Sequence, residues 1–168
     1  MSTQRVRTKT FHSRPRNSTV DTGVEIREWE KPPKSGNTKI EGRVCLRFFI
    51  SDGSKKPFKF ILEPFEAFDI YHKIQKIARS QVACKEQTAP HTTEQEIEGK
   101  TVKVVASVTV EYWIKEAKSG YAIIGSRTID GKNISFNVPL PGMSMLLYAG
   151  ELLKALSIIQ SWEITPEV

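Results

Sequence analysis

The stretch Arg43-Val44-Cys45-Leu46-Arg47-Phe48-Phe49-Ile50 decides the fold. Val44, Leu46, Phe48 and Ile50 fall on one side of an extended chain. Arg43, Cys45, Arg47 and Phe49 fall on the other, and this period of two marks a half-buried strand. Ser51-Asp52-Gly53-Ser54 turns the chain, and Phe58-Lys59-Phe60-Ile61-Leu62 returns as a hairpin partner. Glu63-Pro64 opens a helix, because proline suits the first helical turn. Phe65, Phe68, Tyr71, Ile74 and Ile77 then recur at three-residue steps, which reads as one apolar helix face ending near Ser80. Upstream, residues 24–29 alternate as an edge strand, and residues 31–37, with Pro32 and Pro33, form a linker or turn. Downstream, residues 81–100 are polar, contain Pro90, and read as a connecting loop.

The second half repeats this grammar. Val102, Val104, Val108, Val110, Tyr112 and Ile114 alternate with Lys103, Ser107, Thr109, Glu111 and Trp113 in a long strand. Lys118-Ser119-Gly120 turns into a strand over residues 121–129, Asp130-Gly131 is a hairpin signal, and residues 134–138 return. Pro139-Leu140-Pro141-Gly142 breaks the chain before a strongly apolar helix over residues 143–160. That helix is apolar over more than one stripe, so it must be buried on two sides, which points to a dimer or higher oligomer through it. Phe58, Phe60 and Leu62 precede Ile134, Phe136 and Val138 by 76 positions. The expected architecture is α+β: two antiparallel sheets in a repeated strand–strand–strand–helix arrangement, each backed by one helix. The repeat units are residues 24–80 and 101–160, and the alternative is coincidence, since alternation before a helix is common in α+β proteins.

Charge is uneven. The chain carries +6 overall, and its first 43 residues hold ten basic residues against five acidic ones. Residues 1–22, rich in Arg, Ser and Thr with little to bury, read as a disordered basic arm before one domain over residues 23–168. A positive chain favours polyanions through long-range attraction and counterion release. Cys45 and Cys84 are too few for a disulfide framework and lack metal-ligand spacing, which implies a reducing compartment. No apolar run reaches the ~18 residues of a membrane span, so no membrane partner is expected. The acid-free first twenty residues leave an organellar address open, although Pro15 and the lack of large apolar residues argue against a targeting helix. A cytoplasmic, nucleoid-associated location is the expectation.

Catalytic motifs are missing. There is no GxSxG elbow, no GxxxxGK[ST] loop and no GxGxxG turn. None of His12, His72 and His91 has a second ligand three or four residues on that would complete a metal site. Neither an enzyme, a metal nor a cofactor is therefore expected. What remains is a set of rings and cations on strands: Arg27, Trp29, Arg43, Arg47, Phe49, Lys59, Lys103, Trp113 and Arg127. Cations that track phosphates and rings that stack on unpaired bases are what a single-strand binder needs. One role and one parity stay open. Phe49 and Trp113 serve either as platforms or as a second hydrophobic layer, and on the strand over residues 121–129 either Tyr121 and Arg127 or Ala122 and Ile124 point outward.

The strand, proline-containing turn and amphipathic helix of residues 58–78, repeated over residues 134–159, resemble the Whirly family of single-stranded DNA-binding proteins. The layout also resembles the related transcriptional-coactivator fold and archaeal single-stranded DNA-binding proteins. The Lys-Gly-Lys-Ala-Ala-Leu-type signature of plant Whirly proteins is missing, so no binding residue transfers by name. The resemblance implies single-stranded DNA held with little base preference, in DNA maintenance or transcription, by homo-oligomers assembled through the helices. Single-stranded RNA as the ligand, or a non-catalytic assembly module, are the alternative readings.

Overall fold

The computed structural model describes residues 8–13, 21–31 and 41–164. Four strands form the first sheet in the order β1 (Thr8–Ser13), β2 (Thr22–Lys31), β3 (Glu41–Ile50), β4 (Phe58–Leu62), all antiparallel. Helix α1 (Pro64–Arg79) follows. The second sheet is built on β7 (Lys100–Lys115), flanked by β8 (Lys118–Ile129) and then β9 (Lys132–Leu140). Its other edge is shared by β5 (Cys84–Gln87) and β6 (His91–Ile97), both paired with β7. Helix α2 (Met143–Ile164) is the last element described. The architecture is α+β with two antiparallel sheets and two helices, as the alternation of the sequence implies.

The inner faces of the sheets oppose one another. Phe48 of β3 packs against Gly125 of β8, where an added Cβ would lie 2.5 Å from the ring. Phe58 of β4 stacks on both Phe48 (5.8 Å) and Phe136 of β9 (6.4 Å). Phe48, Phe60 and Phe136 are all buried. The helices are exchanged between the halves. α2 packs chiefly on β3 and β2, while α1 packs on β7 and β5 as well as on its own β3 and β4. The two helices run antiparallel, with the Ser157 hydroxyl donating to the Pro64 carbonyl at one end and Gly150 beside Ile74 at the other. The apolar breadth of α2 is thus met within the chain by α1 and the first sheet.

Several expectations change. Residues 8–13, expected inside a disordered arm, form β1, because Phe11 is buried and meets Tyr148 of α2 edge-on at 5.9 Å. β2 is consequently an interior strand. The rest of the arm (1–7 and 14–20) and most of the proline linker lie outside the described residues. Residues 81–100 hold two strands instead of a loop. Thr88, between them, still exchanges hydrogen bonds with Val108, so β5 and β6 are one edge interrupted before Pro90. β6 is exposed along almost its whole length, and so it leaves no apolar alternation to read. On α1 the buried line is Ala67, Ile70, Ile74, Ile77 and Ala78, and Phe65 is 72 % exposed. A strict three-residue step drifts around a 3.6-residue helix, so only its last two members, Ile74 and Ile77, reach the core.

Glu66 joins two elements. One oxygen accepts the Glu63 backbone N–H (3.0 Å), and the other pairs with His91 Nε2 (2.5 Å), whose ring stacks on Phe60 at 4.2 Å. Glu66→Ala removes a helix-start partner and a half-buried hydrogen bond to His91 together. We expect a loss of about 1–2 kcal/mol in urea unfolding, with oligonucleotide affinity unchanged.

Candidate nucleic-acid interface

Strand parity and register assemble the outer face of the first sheet. β2 contributes Glu25, Arg27 and Trp29, β3 contributes Arg43, Cys45, Arg47 and Phe49, and β4 contributes Lys59 and Ile61. Across the strands these form rows: Trp29 with Arg43, Arg27 with Cys45 and Ile61, Glu25 with Arg47 and Lys59, Gly23 with Phe49. Six of the nine residues singled out from sequence therefore share one face. Lys59 is exposed and the other five are half-buried. Neither helix covers this face, since the helices pack on the apolar side.

Cations and rings are interleaved there. Lys59 Nζ lies 4.9 Å and the Arg27 guanidinium 5.2 Å from the Trp29 ring centroid, and the Arg47 guanidinium lies 5.5 Å from that of Phe49. These are cation–π distances. Phe49 also lies over Gly23, where a Cβ would come within 2.4 Å of the ring. Glycine in this strand position lets the ring lie against the backbone. Among the described side chains on the strands of this face, Glu25 is the one carboxylate, 3.5 Å from Arg27 Nε. Arg43 is committed elsewhere, 3.1 Å from Glu63 and donating to the Gly42 carbonyl at 2.9 Å. It anchors the β3 entry to the start of α1. Cys45 is fully buried beneath these cations. Burial pushes its thiol pKa up, against the pull of the Arg27 guanidinium and, more weakly, of Lys59. A protonated thiol is the unreactive form, so nothing here points to cysteine chemistry.

The remaining three residues lie elsewhere. Lys103 and Trp113 are on the outer face of the second sheet, which points away from the first. Trp113 covers Gly120, its cross-strand partner, as Phe49 covers Gly23. Gly120, expected in a turn, is paired within β8, and the chain reverses at Glu116-Ala117. Lys103 stands opposite Glu94 on the exposed β6–β7 hairpin. The open parity of β8 resolves with Ala122 and Ile124 outward, so Arg127 faces inward and leaves the expected set. Its guanidinium sits over the Phe58 ring. Sequence reasoning missed a polar sector on this second face: Asn133 bonds Ser126 (2.9 Å) and Thr128 (3.0 Å) and accepts from Ser135 (2.8 Å), while Gln87 bonds Ser107. Their period-two placement is the signal that could have found them.

Among the described residues, no group of three or more His, Cys, Asp or Glu could hold a metal. No described helix is long and apolar enough to cross a membrane.

Fold and surface together define an α+β protein of two opposed antiparallel sheets with a basic, aromatic outer face on one of them. Among solved structures, the chain is similar to that of the plant transcriptional regulator PBF-2, at 17 % identity and a TM-score of 0.46, covering 99 % of this chain and 92 % of that one. No protein-family model matches the chain, and no curated protein matches it.

Proposed function

We propose that this protein binds single-stranded nucleic acid, DNA in preference to RNA, with low sequence specificity and without catalysis, through the outer face of the first sheet. The observation that carries this reading is the interleaving of Arg27, Arg47 and Lys59 with Trp29 and Phe49 on one open face. A base stacking on Trp29 displaces the Lys59 ammonium toward the adjoining phosphate, and the same exchange serves Arg47 at Phe49. Ring stacking is blind to base identity because every base has a π-face. The basic residues of the first twenty positions add non-specific attraction. DNA maintenance or transcription at a cytoplasmic nucleoid is the corresponding role. Homo-oligomers form through the helices, where Phe65 and Ile158 leave apolar surface in water.

Fluorescence anisotropy with matched single-stranded DNA, single-stranded RNA and duplex, over a salt series, tests this. Single-stranded DNA is expected to bind tightest, with log K falling linearly as log salt rises. Equal binding of duplex and single strand would defeat the stacking argument, and tighter binding of RNA would reassign the ligand.

A further inference from the structure

We propose that Arg127 and Lys55 form a phosphate-binding clamp at the rim where the two sheets meet, and that the phosphate it takes belongs to the nucleic-acid backbone. The inference rests on the proposed function for the identity of the phosphate's owner, and on the geometry below for the site itself.

Two cations cross between the sheets in opposite directions. Arg127, on the inner face of β8, carries its guanidinium over Phe58 of the first sheet at 5.6 Å. Lys55, in the turn joining β3 to β4, places its ammonium 5.6 Å from Phe136 of the second sheet and donates to the Ser135 carbonyl at 3.3 Å. Phe58 and Phe136 stack on each other at 6.4 Å, so each cation lies over one ring of a stacked pair.

The bland role of such residues is to cover apolar rings with their stems while their charges reach water. Two features exceed that role. Arg127 Nε is buried and has no hydrogen-bond partner among the described residues, and a buried donor of a charged group is costly to leave unpaired. No described carboxylate makes an ion pair with Arg127 or Lys55. Asp52, in the same turn as Lys55, turns its carboxylate back to accept from the Ser54 backbone N–H at 2.9 Å. Asp130, at the β8–β9 turn, is exposed. A guanidinium offers a planar fork and an ammonium a mobile point charge, and a tetrahedral oxyanion can accept from both at once.

The test uses the full chain and reads the Arg127 Nε–Hε cross-peak in a ¹H–¹⁵N spectrum, assigned by its loss in Arg127→Gln. Inorganic phosphate, a single-stranded oligonucleotide, and sodium chloride at matched ionic strength are titrated separately. The clamp requires the peak to move with the oligonucleotide and with phosphate but not with chloride. A peak that stays still with both phosphate sources overturns the clamp, even where anisotropy shows that the sheet face binds. A peak that moves with phosphate alone, in a chain that binds no oligonucleotide, retains the site and overturns the nucleic-acid reading. Where both hold, Arg127→Gln and Lys55→Gln are each expected to lower the salt slope of single-strand binding by about 0.7. An unchanged slope in both variants, with the fold intact by circular dichroism, would assign the pair to sealing the core.

Discussion

Phe48→Ala is expected to cost about 3–5 kcal/mol of folding stability, the range for truncating a buried phenylalanine whose surroundings cannot collapse. The ring is fully buried, lies against Gly125 in the opposite sheet, stacks with Phe58 and meets Phe136 at a tilt. Sheets held by their hydrogen-bond ladders cannot close a gap of that size. The neighbouring residue should behave in the opposite way. Phe49→Ala leaves the core untouched and exposes Gly23, so about 1 kcal/mol or less of stability is at stake, while single-strand affinity weakens by about 1–3 kcal/mol. Urea unfolding and anisotropy on both variants give the comparison. Equal stability losses at positions 48 and 49 would mean that both faces of β3 are packed, and the open face would no longer exist.

Combined replacement of Arg27, Arg47 and Lys59 by glutamine should have the largest effect on binding. Each single-strand phosphate contact contributes about 0.7 to the slope of log K against log salt, so the three together remove about 2. Affinity at low salt should fall on the order of 10²-fold as those contacts disappear. Glutamine retains part of each stem over Trp29, Phe49 and Cys45, so the melting temperature should move little. Lys103→Gln combined with Lys115→Gln removes exposed cations from the second sheet and serves as the control. A slope that falls as far in that control as in the triple variant would place binding on general charge and not on this face.

Much of this was legible in the chain because period-two alternation is a local property. Val44, Leu46 and Phe48 against Arg43, Arg47 and Phe49 specify which side of β3 is apolar before any partner is known. The start of α1 at Pro64 and the Asp130-Gly131 turn, both residues at positive φ, were equally readable. β6 was hidden because a strand exposed on both faces has no hydrophobic period, and β1 because a single buried ring, Phe11, anchors it. On α1 the smaller Ala67 and Ile70 meet the core while the larger Phe65 is exposed, so side-chain size does not mark the buried face.

What the residues alone determined is the parity of β3 and β7 and the existence of two strand-then-helix units. Side-chain direction in an extended chain depends on neighbours one and two positions away. Three matters needed the tertiary structure: the exchange of helices between the halves, the separation of Trp113 from Trp29, and the inward aim of Arg127. Each depends on how two sheets sit relative to one another. That relation is set by packing at a few long-range contacts, such as Phe48 on Gly125, which no local period encodes.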